Sequence, residues 1–554
     1  MRNFFRNLKE KEMNRTAKEK IRDVIKQALA GDPRFASIGE NEIPVLPAAR
    51  EEFGEFYTNL AFKMTDKENP SPQKAAALLK EKIMSLSPDF IDKVEVKNAF
   101  VNFFLKKEMY LELLTEILES KKSFGSSDAG KGKRVLIEFV SANPTGPLTI
   151  AHGRQAAFGE SLARILKYTG FEVAKEYYIN DGGRQIRLLG ESLKARYMQL
   201  KGEQGYAIPE EGYEGEYLID IAKEVKDENI SFSDFAAGHI LKDIEKDLQA
   251  FGVSFNRWTR ESGFLQDKRV EQLLEVLKEK EMLYFSEGSW WFKSTAYGDE
   301  KDRVVIKSDG SYTYLASDIA YHRDKIDRGY NTLVNIVGPD HHGYIPRMKA
   351  VVENFGFDPE QLRFIVVQLT TLYRGKEKLS MSTRKGQFIS LKQLMEEVGP
   401  DASKFFFIFR KADSHLDFDL ELAKKKSVEN PVYYLQYAYV RMKHILKFAE
   451  ESGIGVEKVQ ADLSLLKEPE ELAIAKKLAR FGDTLEGVIN TYGVHLLAEY
   501  LLDLAKSFHS YYHKHRVVTD NRELTAARVV LTDALLSVFS RALELLNISL
   551  PDEM

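Results

Sequence analysis

The chain has 554 residues, which at about 150 residues per domain predicts three or four domains. Hydrophobic residues make up 44% of it and charged residues 30%, a globular composition that excludes a fibrous or disordered protein. The absence of cysteine excludes disulfides, thiolate nucleophiles and iron–sulfur clusters, and a formal charge of -4 excludes a strong overall attraction for polyanions.

The N-terminal segment MRNFFRNLKEKEM does not have the pattern of a targeting peptide. It has basic residues but no apolar core, and it carries Glu10 and Glu12, which argue against a transit peptide. No apolar run in the chain approaches the ~20 residues needed to cross a bilayer. We therefore expect a cytoplasmic protein with no membrane segment.

Residues 1–125 are predicted to form a small α+β domain. Helical patterning dominates this region, and the apolar run at 99–105 is typical of a β-strand. The segment 123–133 is rich in Gly, Ser and Lys, which is the composition of an exposed linker. We place a domain boundary in this segment.

Residues 131–395 are predicted to form an α/β domain, a doubly wound, Rossmann-like parallel sheet. The order strand, helix, strand occurs twice, at 135–140, 156–166 and 172–179 and again at 332–337, 343–355 and 363–369. Charged helical patterning fills the stretch between them, so we predict an insertion near 195–300. The ligand of such a sheet binds where the strand order reverses.

Residues 400–554 are predicted to form an all-α bundle. Apolar residues step by four and three along 497–508 and 531–545, which is typical of helices that each bury one stripe. We predict no strand after about residue 400.

A loop of small residues, SANPTGPLTIAHG at 141–153, leads from the first predicted strand into the first helix of this sheet. Exposed backbone N–H groups and the positive end of a helix dipole suit a nucleotide phosphate, and His152 adds a donor. A plain turn shaped by its prolines is the alternative, and the spacing alone favours neither interpretation.

The loop is similar to the HIGH region of class I aminoacyl-tRNA synthetases, in particular of arginyl-tRNA synthetases. Five further segments resemble the same family: EYYINDGGRQ at 176–185, YTYLASDIAY at 312–321, GPDHHGY at 338–344, DSHLDFD at 413–419 and YYLQYA at 433–438. The resemblance implies ligation of L-arginine to tRNA(Arg) by way of an arginyl-adenylate, with ATP as substrate and Mg2+ present. It also implies a monomer.

Two motifs depart from the family pattern. HIGH reads Thr149-Ile150-Ala151-His152, so a hydroxyl replaces the first imidazole. KMSKS reads Ser380-Met381-Ser382-Thr383-Arg384, so both lysines are missing. Each loss removes a cation that would stabilise the ATP phosphates. Basic residues nearby could replace them, and the candidates are Lys376, Lys378, Arg384 and Lys385.

The resemblance implies the following site residues. The catalytic residues are His152, Thr149, Lys378, Arg384 and Lys385. The ATP-binding residues are Pro144, Gly146, His152, Gly153, Gly338, Asp340, Met381 and Ser382. The arginine-binding residues are Glu138, Asn143, Tyr314 and Asp318. The tRNA-binding residues of the implied anticodon-binding domain are Tyr434, Gln436, Tyr437 and Arg441, and the N-terminal domain is implied to contact the tRNA elbow.

Charge geometry is compatible with the implied arginine pocket. A guanidinium is a planar fork of five donors that pairs best with carboxylates. Tyr314 and Asp318 are four residues apart after a predicted hairpin turn at 308–311, so they can face one ligand. Without the resemblance, Asp318 is interpreted as an acid at a helix N-terminus and Glu138 as a surface charge at a strand end.

The run Asp340-His341-His342 contains possible metal ligands. Adjacent residues point to different sides of a helix or strand, and no zinc-binding spacing accompanies them, so we predict no structural metal. We expect Gly338 and Asp340 to contact a ribose instead.

Two alternatives stay open. The chain could be a class I synthetase for another amino acid. It could also be a synthetase-like tRNA-binding protein that has lost catalysis, which the altered HIGH and KMSKS motifs favour.

Overall fold

The computed structural model describes residues 16–30, 43–48, 50–65, 71–203, 205–379, 388–455 and 461–554. The strands are β1 (Leu46–Pro47), β2 (Phe56–Thr58), β3 (Ile91–Lys97), β4 (Phe100–Leu105), β5 (Arg134–Glu138), β6 (Glu172–Ile179), β7 (Arg257–Arg260), β8 (Leu283–Ser286), β9 (Ser289–Phe292), β10 (Arg303–Ile306), β11 (Thr332–Val337), β12 (Leu362–Val366), β13 (Thr370–Arg374), β14 (Glu377–Lys378) and β15 (Leu416–Asp419).

The helices are α1 (Ala17–Leu29), α2 (Pro72–Ser85), α3 (Lys107–Ser120), α4 (Ile150–Tyr168), α5 (Gly183–Leu200), α6 (Tyr217–Lys223), α7 (Phe232–Ala250), α8 (Glu261–Gln266), α9 (Arg269–Glu279), α10 (Tyr314–Asp327), α11 (Ile345–Asn354), α12 (Leu391–Val398), α13 (Pro400–Ile408), α14 (Leu420–Lys424), α15 (Pro431–Glu451), α16 (Pro469–Ala479), α17 (Phe481–Thr491), α18 (His495–Lys514) and α19 (Arg522–Leu545).

The central sheet has five parallel strands in the order β12-β11-β5-β6-β7. From β5, the strands β6 and β7 follow in chain order toward one edge of the sheet. From β11, the strand β12 follows toward the other edge. The strand order therefore reverses between β5 and β11, which are neighbours in the sheet. Helices cover both faces of such a sheet, and the middle residues of β5 and β11 are buried. The predicted doubly wound fold is confirmed, and its switch point lies between these two strands.

The stretch in which an insertion is predicted contains strands that the sequence analysis does not predict. β7 pairs in parallel with β6, from Glu176 opposite Arg257 to Ile179 opposite Arg260. Its sequence, RWTR, is too short to show a period and has arginine at both ends. β8, β9 and β10 form a separate antiparallel sheet. This stretch therefore contributes the edge strand of the parallel sheet as well as helices.

The two ends of the chain have the predicted architectures. In the N-terminal part, β1, β2, β4 and β3 form an antiparallel sheet, and buried residues such as Phe103 of β4 and Leu79 of α2 form its core. In the C-terminal part, α15 to α19 form the bundle. The prediction of no strand after 400 is wrong for β15, which pairs in parallel with β13. Among the described helices none is both long and apolar enough to span a membrane.

Candidate functional site

A cavity of about 610 Å3 opens at the carboxyl ends of β5 and β11, where the strand order reverses. It is the place where a doubly wound sheet binds its ligand. The predicted site residues that line it are Glu138, Asn143, His152, Tyr314, Asp318, Gly338 and Asp340. The structure therefore brings together residues that are up to two hundred positions apart in the chain.

A strained turn follows β5. Val140 has φ of 69° and Ser141 has φ of 39°, values that L-residues and especially β-branched ones seldom adopt. The Ser141 hydroxyl donates to Glu138 Oε1 at 3.0 Å and accepts from the Tyr178 backbone N–H at 3.1 Å. The turn thus holds the Glu138 carboxylate in one orientation at the cavity wall.

His152 lies in the first turn of α4 and is neutral. The Thr149 backbone N–H donates to His152 Nδ1 at 3.1 Å, so the ring proton is on Nε2. Burial lowers the pKa of His152 to about 4, and the nearby Asp340 opposes this shift. The ring can therefore offer an N–H donor to a ligand, but it does not supply a positive charge at pH 7. Thr149 acts on the site by orienting this ring.

One part of the cavity wall is rich in acids. Burial raises the pKa of Asp318 to about 7, a hydrogen bond from the Tyr344 hydroxyl lowers it, and the neighbouring Glu261 and Glu138 raise it. Burial also raises the pKa of Glu261, which accepts a hydrogen bond from Ser317. Buried acids of this kind gain most from a cationic ligand that donates several hydrogen bonds, such as a guanidinium.

Glu261 is a lining residue that the sequence analysis misses. It is the first residue of α8 and follows directly on β7, the strand that was not predicted. The position after the end of a parallel strand is the signal that would have indicated it, because such positions face the ligand edge of the sheet.

The other lining residues have distinct surroundings. Asn143 Nδ2 donates to Gln185 Oε1 at 2.7 Å, and Tyr314 is 59% exposed at the first residue of α10. A Cβ at Gly338 would stand 2.6 Å from Asp340 Oδ1, so glycine permits the close approach of this carboxylate. The hairpin turn before Tyr314 is confirmed, since the Gly310 N–H bonds to the Lys307 carbonyl at 2.9 Å.

Other predicted residues are not among those that line the cavity. A Cβ at Gly153 would stand 2.7 Å from Leu391, and Pro144 is buried in the loop. Gly146 faces the Tyr217 hydroxyl. Lys378 is exposed in β14. Met381, Ser382, Arg384 and Lys385 lie outside the described residues.

A second cluster lies between α15 and α18. His509 stands 4.2 Å from the ring centroid of Tyr434 and 5.8 Å from that of Tyr437. Arg441 Nη1 donates to the Tyr512 hydroxyl at 3.0 Å, and its guanidinium lies 5.2 Å from the Tyr437 ring. Tyr434, Tyr437 and Arg441 are therefore together.

Gln436, predicted for the same cluster, has other partners. Its Nε2 donates to Asp401 Oδ2 of α13 at 3.0 Å and to the Ser549 hydroxyl at 3.4 Å. Its side chain thus connects α15 to α13 and to the segment that follows α19.

The described residues contain one group of three side chains close enough to share a metal ion, Glu468, Glu470 and His515. These residues belong to the bundle, and Lys514 and His515 already pair with Glu470. At the cavity, His341 Nε2 lies 3.5 Å from Asp340 Oδ2. The side chain of His342 lies outside the described part of the chain.

Three families match successive parts of the chain: "Arginyl tRNA synthetase N terminal domain" at 15–105, "tRNA synthetases class I (R), catalytic domain" at 113–407 and "DALR anticodon binding domain" at 435–554. An Arginine--tRNA ligase of Citrifermentans bemidjiense is 42% identical over 97% of this chain and 100% of its own length. That of Shouchella clausii is 42% identical over 93% and 95%.

The solved Thermus thermophilus arginyl-tRNA synthetase has the same fold, with a TM-score of 0.78 at 22% identity over 97% of this chain and 100% of that one. The three matched families follow one another along the chain in the same order as its N-terminal α+β part, its parallel-sheet part and its helical bundle. The chain therefore belongs to the arginyl-tRNA synthetases, in class I of the aminoacyl-tRNA synthetases.

Proposed function

We propose that the chain ligates L-arginine to tRNA(Arg) with ATP, and that the cavity between β5 and β11 is the site of both chemical steps. One observation carries this proposal: the same cavity joins the neutral His152, at a helix N-terminus, to the buried acids Asp318 and Glu261. The first part suits a phosphate and the second a guanidinium.

In the first step the arginine carboxylate attacks the α-phosphate of ATP, which gives arginyl-adenylate and pyrophosphate. The protein provides no nucleophile, so catalysis consists of alignment and stabilisation of the phosphate charge. Asp318 and Glu261 bind the guanidinium, while Glu138, Asn143 and Tyr314 orient the rest of the amino acid. Charge-assisted hydrogen bonds of this kind contribute about 1.5–3 kcal/mol each.

ATP occupies the part of the cavity next to α4. His152 Nε2–H donates to a phosphate oxygen, the N–H groups of the helix N-terminus add to it, and Asp340 accepts from the ribose hydroxyls. Mg2+ enters with ATP as part of the substrate. Lys378, Arg384 and Lys385 remain the candidates for compensating the missing KMSKS lysines.

In the second step a ribose hydroxyl of the terminal tRNA adenosine takes the arginyl group. The cluster of Tyr434, Tyr437 and Arg441 suits unpaired anticodon bases, which stack on aromatic rings and guanidinium planes. At the N-terminal sheet, the ring centroid of Phe100 lies 5.5 Å from that of Tyr57 and 5.4 Å from that of Phe62. Phe62 is exposed and the other two rings are half-buried, and this aromatic surface suits the tRNA elbow. We propose that the enzyme acts as a cytoplasmic monomer.

A charging assay tests the function. Purified protein, ATP and tRNA(Arg) are incubated with each amino acid in turn and with citrulline, which has the shape of arginine without its charge. We expect one AMP per arginyl-tRNA with arginine and no charging with citrulline or lysine. Binding of tRNA without AMP release would support the catalytically inactive alternative, and charging of another amino acid would contradict the proposal.

A further inference from the structure

Lys325 is a buried cation to which the reaction above gives no role. It lies in the last turn of α10, and its side chain is 0% exposed. Its ammonium group donates to Glu138 Oε2 at 2.5 Å and to Asn335 Oδ1 at 3.1 Å, and it lies 4.1 Å from the Tyr321 ring centroid. The protein therefore surrounds this ammonium, and Lys325 is not among the residues that line the cavity.

The ion pair and a separate hydrogen bond together occupy both oxygens of Glu138. Oε2 accepts from Lys325, and Oε1 accepts from the Ser141 hydroxyl at 3.0 Å. Glu138 is one of the residues that line the arginine side of the cavity. Its carboxylate is thus fixed in orientation, and its charge is offset by a partner behind the cavity wall.

A chain of buried hydrogen bonds connects the same lysine to Asp318. Asn335, the second acceptor of Lys325, donates from Nδ2 to His322 Nε2 at 3.1 Å. Burial lowers the pKa of His322, so its ring is neutral and Nδ1–H donates to the Asp318 carbonyl at 2.9 Å. β5, β11 and α10 are therefore held together at the cavity wall, which Asn335 and His322 line and behind which Lys325 lies.

The charged and titratable groups that face Asp318 come from every element around it: Glu138 of β5, Tyr178 of β6, Glu261 of α8, Tyr344 of the turn after β11, and His322 and Lys325 of α10 itself. Glu138 and Glu261 together with Asp318 make three carboxylic acids around one part of the cavity. Lys325 is the nearby cation that opposes Glu138 and Glu261 in their effect on Asp318.

We propose that Lys325 is a positioning residue for arginine, which pairs with Glu138 and thereby allows Asp318 to meet the guanidinium as a charged carboxylate. The proposal rests on the function proposed above. Without the ammonium, the negative charge of Glu138 would have no cationic partner. Ionisation of the neighbouring Asp318 would then cost more free energy, and this cost would weaken the binding of arginine.

The acid limb of kcat/KM for arginine tests this role, because it reports the ionisation of the free enzyme. The assay is tRNA charging at saturating ATP between pH 5.5 and 9. For Lys325→Met we expect the limb to move up by about one pH unit and the KM for arginine at pH 7 to rise about fivefold, with the KM for ATP unchanged. For Glu138→Gln, which removes an acid and keeps the lysine, we expect the limb to move down.

Two further variants separate electrostatics from folding. The double variant Lys325→Met/Glu138→Gln removes the whole ion pair, and its limb should return to within about 0.3 pH units of that of the unaltered protein. Lys404→Met is the matched control, since Lys404 is also buried but bonds to the Asn547 carbonyl, away from the cavity. It should lower the Tm and leave the limb in place.

The proposal would be overturned if Lys325→Met folds and its acid limb lies at the same pH as that of the unaltered protein. It would also be overturned if the acid limb of the double variant lies at the same pH as that of Lys325→Met. If Lys325→Met does not fold, Glu138→Gln decides the matter, and an unmoved limb in that variant would overturn the proposal as well. Failure of the unaltered protein to charge arginine at any pH would instead refute the proposed function.

Discussion

At the scale of single residues, the arginine binding that we propose depends on the proton of Asp318. Its pKa of about 7, set first by burial, means that much of the free protein carries a neutral acid at physiological pH. A bound guanidinium favours the charged form, so arginine binding below pH 7 releases a proton and weakens as the pH falls. The raised pKa also means that folding takes up a proton between pH 4 and 7. The free energy of unfolding of the free protein therefore falls as the pH rises through 7.

Replacing this acid should separate arginine binding from ATP binding. We expect Asp318→Asn to raise the KM for arginine about a hundredfold at pH 8, because a charge-assisted contact of about 2–3 kcal/mol is lost. The KM for ATP should stay the same, and the pH dependence of the arginine KM between 6 and 8 should disappear. Steady-state charging assays measure all three quantities.

Asp327→Asn provides the control for this substitution. Asp327 lies on the same helix but is exposed and pairs with Arg323, so its KM for arginine should stay at the unaltered value. Equal arginine KM values for Asp318→Asn and the unaltered protein would contradict the assignment.

At the scale of elements, the N-terminal part of α4 is attached to two loops by the side chain of its fifth residue. Arg154 is 1% exposed, and it donates to the backbone carbonyls of Gln368 at 2.8 Å, Lys411 at 2.9 Å and Ser414 at 2.9 Å. Burial lowers the pKa of Arg154 to about 10, so the guanidinium remains charged at pH 7. The helix that orients His152 is thereby held against the chain that follows β12 and the turn before β15.

Arg154→Lys should weaken this attachment while keeping the charge. A lysine ammonium cannot reach three carbonyls as a planar fork does, so we expect the free energy of unfolding to fall by about 2–4 kcal/mol. Urea unfolding measures this quantity. The KM for ATP should rise as well, because His152 lies two residues away.

Arg410→Lys, at an exposed position, is the control and should change the unfolding free energy by less than about 0.5 kcal/mol. A loss no larger than this in Arg154→Lys would show that water or other donors replace the three bonds.

At the scale of the whole molecule, polar contacts join the C-terminal part of the chain to α13 and α4. Asp401 of α13 accepts from Gln436 of α15 and from the backbone N–H of Ser549, and Arg164 of α4 donates to the Glu544 carbonyl at 3.0 Å. With a formal charge of -4, the molecule has no general attraction for RNA. Binding of tRNA therefore requires local surfaces, and the cluster around Arg441 is the one that we propose.

Arg441→Met should weaken tRNA binding without changing the cavity. Stacking of one base contributes about 1–3 kcal/mol, so we expect the Kd for tRNA(Arg) to rise about tenfold or more. The KM for arginine at saturating tRNA should be unchanged. Lys447→Met, which removes an exposed cation from the same helix, should change the Kd much less. Equal effects of the two substitutions would indicate that only charge matters at this surface.

The local pattern of the sequence was sufficient for much of the fold and for part of the site. The strand at 332–337, the hairpin turn at 308–311 and the helix that starts at the HIGH-like loop are all present, because their periodicity and turn residues act over a few neighbouring positions. The residues Glu138, Asn143, Tyr314 and Asp318 meet in one cavity, as the ordered motifs implied.

Only the tertiary structure determined which side chains of that cavity carry a charge. Lys325 pairs with a glutamate 187 positions away, and Glu261 reaches the same wall by following β7, whose four residues show no period. Whether a buried acid carries a charge depends on the distances to such neighbours and on the water that they exclude, and neither quantity has a counterpart in the order of the amino acids.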